Sequence, residues 1–323
     1  LINGLNETLR IQFFKGNKFI YDFKNQENFS ICLENILNTK IKLKQYQYEG
    51  IRWLNFLLSY NLSACLADDM GLGKTVQSLV AVALTHNQEI STKKFSLIIC
   101  PNSLTSHWER ECKNFINDKI LIPAVLSTEI INLNTKLSIF ISKNPDYNLF
   151  ICSYNQLNKI VDFVDINIHC IILDEAHLIK NPKSNLSIRV KSISSNVRIA
   201  ITGTPIQNSI AELWSIFDFL FPNYLGSKED FKKQNKCLYD LNLMSVDLKS
   251  VELSQNQTQT LKNLHAKVLP FIMRREKSEV LKELPDKIIQ DINCEMTTDQ
   301  QSIYQDIEEK YLSIKMNNLE ICQ

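Results

Sequence analysis

Glycine is scarce in this chain, seven residues in 323, yet Gly71 and Gly73 fall within one three-residue span. An excess of charge of one sign is also missing. The formal net charge is +1, so bulk electrostatics do not mark a nucleic-acid binder and any such surface must be local. None of the nine cysteines belongs to a C-x-x-C pair, and their number is odd. This argues against a disulfide framework or a zinc site and reads as reduced thiols in an intracellular protein. No apolar run approaches the roughly 18–20 residues that a membrane span needs, so no membrane partner is expected. The N-terminus has neither an initiator Met nor a signal-peptide pattern, and the chain reads as a piece of something longer. There is no internal repeat, and the abundant Asn is dispersed rather than clustered. What is present is globular in character: 44% hydrophobic and 22% charged, enough for a sizeable core and about two domains by length.

Residues 1–40 are weakly patterned and are expected to form an N-terminal extension. Within it "RIQFFKG" and "KFIYDF", flanking Gly16-Asn17, read as a hairpin. From about residue 43 short apolar runs alternate with helical patterns. The runs are "SACLA" (63–67), "FSLIIC" (95–100), "NLFICS" (148–153), "HCIILD" (169–174) and "VRIAIT" (197–202). Continuous apolar strands with helices between them predict an α/β fold, a parallel sheet covered on both faces. Ligand-handling loops should then follow the C-terminal ends of the strands. "IAELWSIFDFLFP" (210–222) predicts a helix with Ile210, Leu213, Trp214, Phe217 and Leu220 on one stripe and Pro222 as the stop. Residues 223–260 are polar and irregular. Residues 261–284 read as helix broken near Pro270, followed by a strand "KIIQDINC". The last stretch predicts an amphipathic helix with Thr298 as N-cap and Gln301 at the capping-box position.

The two clustered glycines belong to "CLADDMGLGKTVQSL" (65–79). A phosphate-binding loop follows a buried strand and opens a helix, and its N–H groups must approach an anion closely. The general pattern is G-x-x-x-x-G-K-[ST]. Here Asp68 stands where the first glycine usually is, and the rest fits. Asp69, Met70, Gly71, Leu72, Gly73, Lys74 and Thr75 are expected to hold the nucleotide, with Lys74 at the β/γ-phosphates and Thr75 on Mg²⁺. A second signal is "CIILDEAHLIKN" (170–181). Asp174 would anchor Mg²⁺, and Glu175 would act as general base on the attacking water. A third is "AITGTPIQN" (200–208), where Thr202, Gly203 and Thr204 end a strand and would sense the nucleotide state. In the fourth, "LKQYQYEGIRWLNFL" (43–57), the Gln47 amide could read the adenine edge, while Ile51, Leu54 and Leu58 face the core.

As an ordered set, "LKQYQYEGIRWL", "DDMGLGKTVQ", "IICPNSLTSHWERE", "ICSYNQL", "DEAHLIKN", "ITGTPIQN", "ELWSIFDFLFP" and "FIMRREKSEVLKELPDK" resemble the superfamily-two helicase-like ATPases, and within them the Swi/Snf family of DNA-translocating remodellers. Members carry Asp at the position of Asp68. The resemblance covers roughly residues 40–310. It implies a RecA-like lobe over 41–270, with 271–323 as a helical linker or brace leading toward a second lobe that these residues do not contain. "LHAKVLPFIMRR" and "LPDKIIQDINC" are similar to the branch that strips TATA-binding protein from DNA, so that protein, or another DNA-bound one, is an implied partner. A nuclear location is implied in the same way. The family places double-stranded DNA across both lobes. The resemblance therefore implies backbone contacts at Pro101, Asn102, Ser103, Thr105, His107 and Trp108, at Ser153 and Tyr154, and at Lys180 and Asn181. It also implies a coupling role for His177 beside Thr202, Gly203 and Thr204. Arg274 and Arg275 fall in the linker and are not expected to be arginine fingers.

Three alternatives stand beside a DNA-dependent ATPase lobe. A nucleotide-binding interaction module would bind ATP and act only through a partner. A small-molecule P-loop kinase is opposed by "DEAHLIKN" and "TGTPIQN", and a strand-separating helicase by the remodeller-like motifs.

Overall fold

The computed structural model describes residues 26–38, 42–87, 93–126, 137–157, 166–203, 210–239, 254–281, 294 and 296–320. Two compact units are distinguished, Leu1–Leu281 and Lys282–Gln323.

The first unit is built on seven strands: β1 (Ala64–Leu66), β2 (Phe95–Cys100), β3 (Pro123–Val125), β4 (Leu149–Ser153), β5 (Ile168–Leu173), β6 (Val197–Ile201) and β7 (Ile272–Met273). Their order across the sheet is β3-β4-β2-β5-β6-β1-β7, and every pairing is parallel. The five apolar runs of the sequence are β1, β2, β4, β5 and β6. Their residues are buried on both sides. Leu66, Ile98, Ile151, Ile172 and Ile199 join one core cluster, while Cys65, Ile99, Cys152, Ile171 and Ala200 join the other. This two-faced burial explains why the runs are continuous rather than alternating.

Helices fill both faces of the sheet. In the first unit we number α1 (Gln26–Ile36), α2 (Gln45–Ser59), α3 (Lys74–Asn87), α4 (Thr105–Phe115), α5 (Asn185–Ser192), α6 (Ile210–Leu220) and α7 (Gln255–Val268), and in the second unit α8 (Thr298–Glu320). Ile51, Leu54 and Leu58 of α2 are buried, as their spacing predicts. In α3 every residue from Val76 to Thr85 is buried, because α3 lies beneath α2 as well as against the sheet. Helix α1 brings Phe29, Leu33 and Ile36 of the weakly patterned N-terminal region into the same core. The hairpin expected around Gly16-Asn17 lies outside the described residues.

Three local expectations are corrected. The 261–284 segment is not one broken helix. Helix α7 starts earlier, capped by Ser254, whose Oγ accepts from Gln257 N at 3.3 Å. After it the chain makes a 3-10 turn (Leu269–Phe271) and then enters the sheet as β7. Backbone pairing to β1 competes here with helix propensity and wins. The cap of α8 is Thr297, one residue before the expected Thr298: Thr297 Oγ1 accepts from Gln300 N, and Gln300 Oε1 accepts from Thr297 N. Two adjacent threonines and two adjacent glutamines offer the same box in two registers. Finally, β3 was not anticipated. Of "KIIQDINC", only Cys294 is described. No helix among the described residues is long and apolar enough to cross a membrane.

Candidate active site

Strand β1 ends at Leu66, and the chain turns through Ala67–Gly73 into α3. Gly71 (φ 84°) and Gly73 (φ 74°) occupy left-handed conformations that other residues adopt only at a cost. A Cβ on Gly73 would come within 2.4 Å of Gln47 Nε2. The side chain of Gln47 therefore lies against the phosphate loop, and its Oε1 accepts from Lys44 N at 3.0 Å. Lys74 opens α3. Its Nζ donates to the carbonyls of Asp68 (2.7 Å) and Asp69 (3.1 Å). Burial lowers its pKa, against the opposing pull of Asp68, Glu175, Asp174 and Asp69. Four acidic side chains thus act on one ammonium, and two of them come from the DEAH stretch 100 residues downstream.

Those two follow β5. Asp174 N extends the ladder to Ile99 O at 2.9 Å, and the side chain is only 8% exposed. Its Oδ1 accepts from Glu175 N (3.0 Å) and its Oδ2 from Trp108 Nε1 (2.8 Å). The Asp174 carbonyl accepts from the Tyr154 hydroxyl at 2.5 Å. Glu175 has φ 51° and ψ 52°, a left-handed conformation costing about 1 kcal/mol for a residue with a Cβ. Such strain gathers at functional sites. Glu175 Oε2 lies 3.2 Å from His177 Nδ1. Between the two motifs runs β6. At its end Thr202 is fully buried and donates its N–H to Leu66 O at 3.2 Å. A Cβ added at Gly203 would be 3.3 Å from the Met70 side chain. Thr204 lies outside the described residues.

The expected DNA face divides. Asn102 and Ser103 are exposed, as is Asn181, and Pro101, His107 and Lys180 are half-buried. Lys180 Nζ lies 3.7 Å from Glu212 Oε1. Trp108 and Tyr154 are corrections. Trp108 is 0% exposed and Tyr154 6% exposed, and both spend their polar hydrogen on Asp174. Ser153 and Thr105 are buried as well. A tryptophan reads equally as core or as surface in a sequence, and only the packed structure decides.

Burial holds the Asp174 carboxyl above its ordinary value, against the downward pull of the Trp108 hydrogen bond. A carboxyl raised in the fold binds its proton more tightly folded than unfolded. Its ionisation therefore costs stability as pH rises from the ordinary carboxylate range through the raised value. Trp108→Phe removes the N–H and leaves the buried carboxylate one donor short. We expect it to lose about 1–3 kcal/mol at neutral pH and to approach the parent in acid, where Asp174 is protonated in both. Urea unfolding at two pH values measures this, and an equal loss at both would assign Trp108 to packing alone.

One contact of the site escaped the sequence reading, which placed Arg275 in the linker. The Asp68 carboxylate, 0% exposed, is held by Arg275, whose Nε donates to Oδ1 at 3.0 Å and whose Nη2 pairs with Oδ2. The two are 207 positions apart, and no local spacing signals such a pair.

A glycine-bearing loop after β1, an acidic pair after β5 and a polar strand end between them belong to a parallel α/β lobe of RecA-like form. The profile of the SNF2-related domain matches residues 46–322, and the chain belongs to that family. It is 38% identical over 303 residues to human TATA-binding protein-associated factor 172, covering 89% of this chain and 16% of that protein. It is 36% identical to TATA-binding protein-associated factor MOT1 of Saccharomyces cerevisiae, covering 87% and 15%. The chain thus spans about a sixth of these relatives' length. Among solved structures, the Sulfolobus solfataricus SWI2/SNF2 ATPase core in complex with dsDNA superposes with a TM-score of 0.61 at 33% identity, over 87% of this chain and 55% of that one.

Proposed function

We propose that this chain is the nucleotide-binding lobe of a double-stranded-DNA-dependent ATPase that remodels protein–DNA complexes. The observation that carries this is the placement of the Gly71–Lys74 turn and of the Asp174–Glu175 pair just after the C-terminal ends of β1 and β5, the two strands that flank β6. In this reading the N–H groups of Gly71 to Thr75 cradle the phosphates, and Lys74 exchanges its bonds to loop carbonyls for bonds to β/γ-phosphate oxygens. Gln47, packed against the loop, takes the adenine edge.

The residues present fit Mg²⁺. Thr75 and Asp174 offer hard oxygen donors, and this ion usually takes only one or two protein ligands beside phosphate and water. No group of three or more His, Cys, Asp or Glu suited to a metal occurs among the described residues, so phosphate and water would complete the shell. When bound, the ion would neutralise charge developing on the transferred phosphoryl group. Glu175 orients the water and takes its proton. A second RecA-like lobe, in cis or in trans, would add positive charge on the far side of the phosphoryl group.

The exposed or half-buried Pro101, Ser103, His107, Lys180 and Asn181 supply the DNA face, where amides, hydroxyls and charge hold phosphates without reading sequence. The similarity to two TATA-binding protein-associated factors supports TATA-binding protein as the displaced partner and the nucleus as the location. The lobe is wider than the expected 41–270: it takes in α1, whose Phe29, Leu33 and Ile36 join its core, and β7 of its sheet, and the chain beyond Leu281 leads toward its companion.

ATP turnover, with and without duplex DNA and with Lys74→Ala as the blank, tests the proposal. DNA-stimulated turnover supports it for the chain as it stands. Nucleotide binding without turnover would instead make the isolated chain an interaction module that needs its second lobe.

A further inference from the structure

The segment that leaves the sheet through β7 is fastened to the phosphate loop by both backbone and side chains. Ala67 N donates to Met273 O at 2.7 Å and Asp69 N to Arg275 O at 3.0 Å. In return Arg275 N donates to Asp68 Oδ1 and Lys277 N to Asp69 Oδ2, each at 3.1 Å. Residues 273–277 thus run as a strap along the first half of the loop.

The Arg275 side chain is the centre of the strap. Besides its two bonds to Asp68, Nη2 donates to Gln77 Oε1 at 2.7 Å, and Nη1 donates to the Tyr46 carbonyl. The guanidinium also lies 5.6 Å from the Tyr46 ring centroid. One side chain therefore ties together α2, the phosphate loop, α3 and the strap. The space is cut to fit: a Cβ on Gly50 would come within 1.9 Å of Gln77 Oε1 and 2.8 Å of Arg275 Nη2. Gln77 Nε2 adds a further bond to Asp68 Oδ2 at 3.3 Å.

The ion pair is nearly dry, with side chains 13% and 0% exposed. Removing one partner of such a pair leaves an uncompensated charge, so the surrounding backbone must shift or open. That backbone matters, because the carbonyls of Asp68 and Asp69 hold Lys74. A loosened Asp68 would misplace the ammonium that meets the phosphates. The strap is also the last segment of the first compact unit, which ends at Leu281.

We infer that Arg275 is a positioning residue for the phosphate loop, and that docking of the 273–277 strap and binding of nucleotide are thermodynamically coupled through the Arg275–Asp68 pair. This rests on the nucleotide reading of the site. The coupling is reciprocal: a docked strap raises nucleotide affinity, and bound nucleotide holds the strap down by the same factor. Asp68, which breaks the general glycine pattern, is then the receptor for a residue from the chain's exit.

The test uses the 323-residue chain with a fluorescent ADP analogue and Mg²⁺. Arg275→Gln should weaken binding about tenfold or more in a protein that still unfolds cooperatively. Arg275→Lys, which keeps the charge but not the planar fork, should recover part of the affinity. Amide exchange gives an independent readout that needs no variant. Nucleotide should slow exchange of the Arg275 and Lys277 amides in the parent chain, and Arg275→Gln should abolish that protection at Lys277. Wild-type affinity in folded Arg275→Gln, or exchange at both amides indifferent to nucleotide, would overturn the coupling and leave the site reading intact. If Arg275→Gln does not fold, the exchange result on the parent chain decides. A parent chain that binds no nucleotide removes the site reading and the coupling with it.

Discussion

Lys74→Ala is expected to lose nucleotide affinity by about 100-fold or more. Truncating one partner of a buried, hydrogen-bonded charge pair costs roughly 2–5 kcal/mol, and each 1.4 kcal/mol is about tenfold. The lysine is suited to such a loss. The residue is half-buried, its Nζ donates to the Asp68 and Asp69 carbonyls, and the Asp174 and Glu175 carboxylates of the neighbouring motif act on it electrostatically. An alanine leaves that negative field facing the triphosphate with nothing to offset it. The site then repels the ligand it is built to hold. Titration with a fluorescent nucleotide measures the change, and affinity within twofold of the parent would refute the phosphate-loop assignment.

Glu175→Gln should separate binding from chemistry. The amide keeps the size of the side chain and its approach to His177, but cannot take a proton from water. In a chain joined to a second lobe and supplied with duplex DNA, turnover should fall about 100- to 10,000-fold, the usual contribution of a positioned general base. Nucleotide affinity should stay within a few-fold. Single-turnover hydrolysis beside equilibrium binding reads both quantities. Turnover close to that of the parent would remove Glu175 as the base. The two variants therefore fail in different columns, Lys74→Ala in affinity and Glu175→Gln in rate.

The sheet was legible because its strands are buried on both faces. Five continuous apolar runs gave β1, β2, β4, β5 and β6 with bounds correct to a residue or two. The glycine-bearing loop and the acidic pair were legible as strand-end features because each follows such a strand. Strand β3 was not legible, because Pro123 opens it and a proline demotes an apolar run as a strand, and β7 was not, because two residues are too short to show a period. β7 was further masked by helix-favouring neighbours in "MRREKSEV". The roles of Trp108 and Arg275 were hidden for another reason. Each acts through long-range contacts, Trp108 to Asp174 and Arg275 chiefly to Asp68, and one sequence carries no trace of pairs 66 or 207 positions apart.

The order of strands fixes a length. β1 and β5 are second neighbours, separated only by β6, so the glycine-bearing loop and the Asp174–Glu175 pair start two strand spacings apart. At about 4.8 Å per step that interval is roughly 9.6 Å, enough for a phosphoryl group with its water. It is set by main-chain hydrogen bonds between 64–66 and 199–201 and between 170–173 and 197–200, which no side-chain substitution alters directly. The sheet is the ruler of this site. Residues at the strand ends can be exchanged to change the chemistry they offer, while the distance between the two ends is preserved by the backbone.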